Sequence, residues 1–524
     1  MRWIGVMLLM TSGMAGQEIS SQRIRAHVKF LSSDLLEGRG TGQRGGEVAV
    51  EYLASQLTVA GVKRVTFQEV PLVGVQTEAS STLKAGGLDF KWLDEFVGHA
   101  QTQQTRQVLD AEAVFVGHGI SAPEFGWDDY QGVDVKGKVV VLFTNEPPSE
   151  DPAFFGGKAL TYYGRWTYKY EEALRRGARA AIILHTPETA GYGWDVVRNS
   201  WGQEDAAVKV TGEALAFAGW LSQQAAARWL ATEGRTVQDL LQRANTRGFR
   251  AIPLKSRFQG DFQAKVREMR VRNVAGSIAG SDPALEGEYV LYSAHWDHLG
   301  KGAEIFNGAV DNATGCAVLL EMARVWAELP VKPRRSAYFL FTAAEEVGLR
   351  GAEYFAAHPL VPLDKIALAL NFDSFFPFGR TRDVVMNGAE RTTFWPEIQA
   401  VARRLQLTIA PDPRPEQGSF FRSDHFPLAK AGVAAFSVNG GKEYLADAER
   451  KATLLAQYHE KNYHQPTDDY ADSWDFSGME QMAQLGIVLG QEAANADSRV
   501  TWAEPAKAAS PRPSPKKKTA RKKR

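Results

Sequence analysis

From about Leu254 onward, short apolar runs alternate with helical patterns, and several of those runs end on an acid or a histidine. YVLYSAH ends on His295. SAYFLFTAAEE carries Glu345 and Glu346 just past its run, and IALALNFD ends on Asp373. Between and after these runs lie helical patterns at about 311–329, GAEYFAAHP, 396–405 and 477–493, with a further strand at VAAFSVN. Apolar runs of this length, alternating with amphipathic helices, predict an α/β sheet layered with helices. In such sheets, ligands bind beyond the carboxyl ends of the strands. His295, the Glu345–Glu346 pair and Asp373 are therefore expected to face one crevice. Asp311 opens a predicted helix, and His464 sits in a loop before the last one.

Imidazole and carboxylate ligands together suit zinc or another borderline divalent ion. Five protein ligands exceed what one catalytic zinc takes, about three plus water. Two ions sharing one carboxylate fit the count better, and Asp311 is the natural bridge because a carboxylate offers two oxygens. Of the adjacent pair Glu345 and Glu346, one ligates and the other is free to take a proton from the attacking water.

The 524 residues, 44% of them hydrophobic, suffice for two or three domains with real cores. A formal net charge of zero, with 23% charged residues, gives no general reason to expect a nucleic-acid binder. The balance hides a basic tail: from Thr501 there are nine Lys or Arg against one acid, Glu504. MRWIGVMLLMTSGMAG has Arg2, a short apolar run and then small residues, and reads as a secretory signal peptide cleaved near Ala15 or Gly16. No run approaches the roughly 20 apolar residues of a membrane span. The single cysteine, Cys316, excludes an intramolecular disulfide and reads as a buried structural thiol.

Five segments follow from these signals. Residues 1–16 are the signal peptide and 17–107 the first part of the main domain, opening with helical patterns around Ile24–Leu31 and Val48–Leu57, broken by EGRGTGQRGG. Residues 108–250 form an inserted β-rich domain, with strands at AVFVG, GKVVVLF and AAIIL and a helix ending at Gly177. Residues 251–497 carry the ligand set, and 498–524 form a disordered Pro-, Ala- and Lys-rich tail.

The strings AHWDH, GAVDNATG, AAEEVGLRGAEYF, NFDS, RSDHFPLAKAGV and NYHQPTDDY resemble the di-zinc aminopeptidase family that also contains glutamate carboxypeptidase and the transferrin receptor ectodomain. The resemblance covers roughly residues 17–493. It implies a three-layer zinc-exopeptidase domain, with a mixed sheet flanked by helices. AVFVGHGISAPEFGWDDYQGVDVKGKVVVLF resembles the protease-associated (PA) domain that many secreted members carry. By resemblance, His295 and Asp373 bind one zinc, Glu346 and His464 the other, and Asp311 bridges them. Glu345 is the general base, Asp297 orients the His295 imidazole, and Tyr463 hydrogen-bonds the oxyanion. Ser423, Asp424 and His425 support the site, and the Asp311–Asn312 peptide is cis, as in other members. Val310 departs from the acid that many members place before the bridging aspartate.

The implied protein is a secreted or periplasmic aminopeptidase acting on peptides, with two Zn2+ per chain and no membrane span; its oligomeric state stays open. The alternatives are carboxypeptidase or other amidohydrolase action, glutaminyl cyclisation, and a binding module of the receptor kind.

Overall fold

The computed structural model describes residues 18–503. The signal peptide expected over 1–16 and the tail from residue 504 lie outside the described residues.

Four parallel strands form the heart of the molecule, in the order Ala435–Ser437, Ile366–Asn371, Tyr289–His295, Ser336–Thr342. Nearly every residue in them is buried, as strands covered by helices on both faces must be. The helix Thr314–Glu328 packs against this sheet and against the helices Ser21–Leu31 and Ser477–Asn495. Its sequence is apolar almost all round, which is why twelve of its residues are buried. Cys316 is one of them, and its thiol donates to the carbonyl of His295 at 3.1 Å. Because the four strands run in one direction, their carboxyl ends share one edge. The ligand candidates sit along that edge. Among the described residues, no helix is long and apolar enough to cross a membrane.

A 27-residue strand, Ile252–Ile278, ties this sheet to a second one. Its C-terminal half pairs with Ser336–Thr342 and with Arg64–Thr77. Its N-terminal half pairs with Arg106–Phe115, from which the sheet continues through Val139–Leu142, Ala180–Leu184, Phe217–Leu221 and Phe96–His99. The second unit has a core on each face of this sheet, around Phe115, Phe217 and Trp229 on one side and Val140, Ile183 and Trp220 on the other.

Three expectations need correction. The strands Thr82–Ala85, Leu88–Phe90 and Phe96–His99 pair into the second unit's sheet, so a boundary at 108 comes too late. Residues 498–503 are docked rather than disordered: Val500 N–H donates to Ala367 O at 3.2 Å, and Trp502 packs on Phe420. Asp311 does not open a regular helix; it lies in an irregular turn, Ala309–Ala313, before the helix begins at Thr314.

Candidate metal centre

His295 closes its strand with the ring fully buried. Its Nδ1–H donates to the backbone carbonyl of Asp297 at 3.1 Å. That bond leaves Nε2 facing two carboxylates, Asp311 Oδ1 and Asp373 Oδ1, each at 3.3 Å. The expectation that the Asp297 side chain holds this imidazole is not met, because its Oδ1 stands 3.9 Å from Nδ1. The Asp297 carboxylate instead accepts the N–H groups of Glu345 at 3.1 Å and Glu346 at 3.3 Å, and the Thr41 hydroxyl at 3.2 Å. Asp297 thus fixes His295 through its backbone and the two glutamates through its side chain.

Asp311 lies between two imidazoles, Oδ1 toward His295 and Oδ2 toward His464 Nε2, each at 3.3 Å. His464 Nε2 also stands 3.1 Å from Glu346 Oε2. The irregular turn explains how Asp311 reaches both. Gly308 takes a left-handed φ of 55° where a Cβ would collide with the Asp311 carbonyl and the His298 ring, and the Asp311–Asn312 peptide is cis. His464 has a left-handed φ of 57°, uncommon for a residue with a side chain, and its ring stacks on Tyr463 with 4.0 Å between centroids.

Asp373 is set by a short relay of hydrogen bonds. Ser423 Oγ donates to its Oδ2 at 2.5 Å, Asn371 Nδ2 donates to Ser423 Oγ at 2.7 Å, and Ser293 Oγ donates to Asn371 Oδ1 at 2.7 Å. Ligand atoms of His295, Glu345 and Asp373 lie within 4.8 Å of one another, as do those of His295, Asp311 and Glu346. All five predicted ligands and Glu345 therefore converge, and Tyr463 borders them, 48% exposed.

Three residues that sequence reading passed over belong to the site, as does Asn312, expected there only for its cis peptide. His298 Nδ1 approaches Glu346 Oε1 at 2.5 Å. Asp468 accepts the N–H groups of Val310 at 3.0 Å and Asp311 at 3.1 Å, and the Tyr458 hydroxyl at 2.9 Å. Arg39, from the break read as a turn, is buried and donates to the carbonyls of Trp296 at 2.8 Å, Asn307 at 2.7 Å and Gly308 at 2.9 Å. Asn312 donates to Phe372 O at 3.1 Å, tying the turn to the strand before Asp373. The HQPTD string carries a signal for Asp468, four residues past His464. Nothing local marks Arg39: besides the Leu31 carbonyl, its partners are more than 250 residues away.

The charges fit a cation. Asp297, Asp311, Glu345, Glu346, Asp373, Asp424 and Asp468 crowd one cleft. Burial disfavours a charged His464, yet Glu346 and Asp311 hold its pKa at about 11. Burial opposes charge on His295 too, but Asp373 and Glu345 lift it well above its ordinary value. Burial would raise Glu346, but His464 and His298 hold it at about 2. Burial drives Glu345 well above the ordinary carboxylate range, reinforced by Asp373 and Glu346. Carboxylates packed this way are costly unless positive charge stands among them, and the two imidazoles and their acids form the donor set that zinc prefers.

The fold matches that of the aminopeptidase from Aneurinibacillus sp. strain AM-1, over 92% of this chain and 95% of that one, with a TM-score of 0.52 and 20% identity. Residues 273–488 match the model of Peptidase family M28. Curated relatives include leupeptin-inactivating enzyme 1 of Streptomyces exfoliatus, 25% identical over 205 residues (37% of this chain, 42% of that protein). Aminopeptidase NAALADL1 of Mus musculus is 36% identical over 135 residues (25% of this chain, 16% of that protein). The matches thus span less than half of these relatives' length.

Proposed function

We propose that the protein is a zinc-dependent aminopeptidase, exported through its N-terminal segment, that removes N-terminal residues from peptides. The observation that carries this reading is the Asp311 carboxylate, set with one oxygen toward His295 and the other toward His464. Such an arrangement suits a carboxylate shared by two ions, with Asp373 completing one side and Glu346 the other. Zinc held there supplies Lewis acidity, which acidifies water and polarises a carbonyl.

The rest of the chemistry falls to the chain's own groups. Glu345 lies within the His295–Asp373 cluster without being needed as a ligand, and its raised pKa suits a group that takes up a proton. It accepts the proton of the attacking water and returns it to the departing amine. The Tyr463 hydroxyl, at the open side of His464, donates to the oxygen on which negative charge develops. Asp297 holds both glutamates in register through their backbone.

The test uses one peptide with a free or an acetylated N-terminus, with and without a chelator, read by mass spectrometry. Stepwise loss of N-terminal residues from the free form alone, abolished by chelator, is expected. Cleavage of the acetylated form would move the assignment to carboxypeptidase or endopeptidase action.

A further inference from the structure

His298 lies just past His295 in the chain and is wholly enclosed, its side chain 0% exposed. Its backbone N–H donates to Arg39 O at 3.3 Å, and its ring stands edge-on to that of His464, 5.6 Å between centroids. Gly308 leaves the space the ring fills, since a Cβ there would lie 2.4 Å from it. Held on these sides, the ring places Nδ1 2.5 Å from Glu346 Oε1. An ionised carboxylate only accepts, so Nδ1 carries the proton. Nε2 is buried and has no hydrogen-bond partner among the described residues, so the ring spends its polar contact on Glu346.

That bond divides the two oxygens of Glu346. Oε1 is held by a charge-assisted hydrogen bond. Oε2 is turned to the other side, 3.1 Å from His464 Nε2, and Asp311 Oδ2 stands 3.3 Å from the same nitrogen. The His464 side thus presents one imidazole nitrogen and two carboxylate oxygens. Three protein donors and an open position are what a catalytic zinc takes, whereas a closed set of four marks a structural one. With Oε1 released, Glu346 would be free to grip an ion through both oxygens and fill the open position. Ser423 Oγ holds Asp373 Oδ2 at 2.5 Å on the other side in the same manner.

We propose that His298 reserves Oε1 of Glu346, so that this ligand meets a metal ion through Oε2 alone and the His464 side keeps a coordination position open for water or substrate. His298 is thus a positioning residue that acts through Glu346. The inference rests on the zinc-peptidase reading above and adds the residue that keeps one of its sites open.

His298→Asn and His298→Gln separate the two ring nitrogens, because the shorter amide reaches where Nδ1 stands and the longer one where Nε2 stands. Each protein is loaded with Co2+, whose visible absorption weakens as its coordination number rises. Wild type and His298→Asn should give the same spectrum, and His298→Gln and His298→Ala a weaker absorption per bound ion. With zinc and leucine p-nitroanilide, kcat should fall about 10- to 100-fold in His298→Gln and His298→Ala, with KM nearly kept, and recover in His298→Asn. Thermal unfolding without metal checks that each variant folds, and the Asn and Gln variants carry the test where His298→Ala does not fold. The Co2+ spectra read His298 without turnover. A weakened spectrum in His298→Gln therefore supports the proposal even where wild type releases no residue and the peptidase reading fails. Three results overturn it: equal spectra across the series; a spectrum closer to wild type for His298→Gln than for His298→Asn; or lost Co2+ in His298→Gln with the metal-free protein already less stable than wild type.

Discussion

A single carboxylate, Asp468, accepts the N–H groups of two consecutive residues, Val310 and Asp311, and lies four residues past His464. It joins the segments that present Asp311 and His464. Asp468→Asn turns one of its oxygens into an N–H donor facing a backbone donor. Zinc affinity, measured by competition with a chelating dye, should fall about 10- to 100-fold, the usual loss when a group that orients ligands is removed. Unchanged affinity would remove Asp468 from the site. Glu345→Gln should keep zinc and lose turnover by about 10²- to 10⁴-fold; a fully active variant would mean another group moves the proton. His118 tests the second unit. Its ring is 1% exposed, with Nδ1 donating to Thr144 O at 3.3 Å and Nε2 2.8 Å from the Asn245 side-chain amide, and burial lowers its pKa to about 4. The unfolded chain binds a proton at this histidine below about 6.5, while the folded chain resists until about 4. The neutral ring's contribution is therefore complete above about pH 6.5 and is lost as pH falls toward 4. Denaturant melts should show the wild type losing roughly 3 kcal/mol over that window relative to His118→Gln; a constant difference would contradict the burial argument.

The helix Ser477–Asn495 approaches the central strands so closely that Gly490 has no room for a side chain. A Cβ at Gly490 would lie 1.6 Å from the Tyr292 hydroxyl, which is held by Trp326 Nε1 at 3.1 Å. Gly490→Ala gains helix propensity of about 1 kcal/mol, but the overpacking should win and destabilise by about 1–3 kcal/mol net. A thermal midpoint equal to or above wild type would show that the helix has room to move. Elements of this core were readable because their periodicity is set by burial on both sides, as in AYFLFT and LALNF. The helix Ala448–Lys461 was missed because it has only two buried residues, Leu455 and Tyr458, and so little apolar stripe. The strands between 82 and 99 belong to the second unit against expectation, because pairing with strands about 120 to 180 residues later leaves no local mark. The ligands were legible because strand ends and acids coincide. Arg39 and Asp297's grip on the glutamates were not, because both act through distant backbone.

Across the whole molecule, the long strand Ile252–Ile278 makes two cores into one framework, and the aromatic cluster around Tyr162, Phe421 and Phe426 closes the second unit onto the segment bearing Ser423. The candidate metal centre lies at the carboxyl edge of one sheet. In the function proposed above, Asp311 is shared by two zinc ions. Zinc bound per chain, counted by mass spectrometry of the native protein and by elemental analysis, tests it directly. Wild-type protein should hold two zinc ions, and Asp311→Asn no more than one. One ion in the wild type, or two retained by Asp311→Asn, would contradict the account.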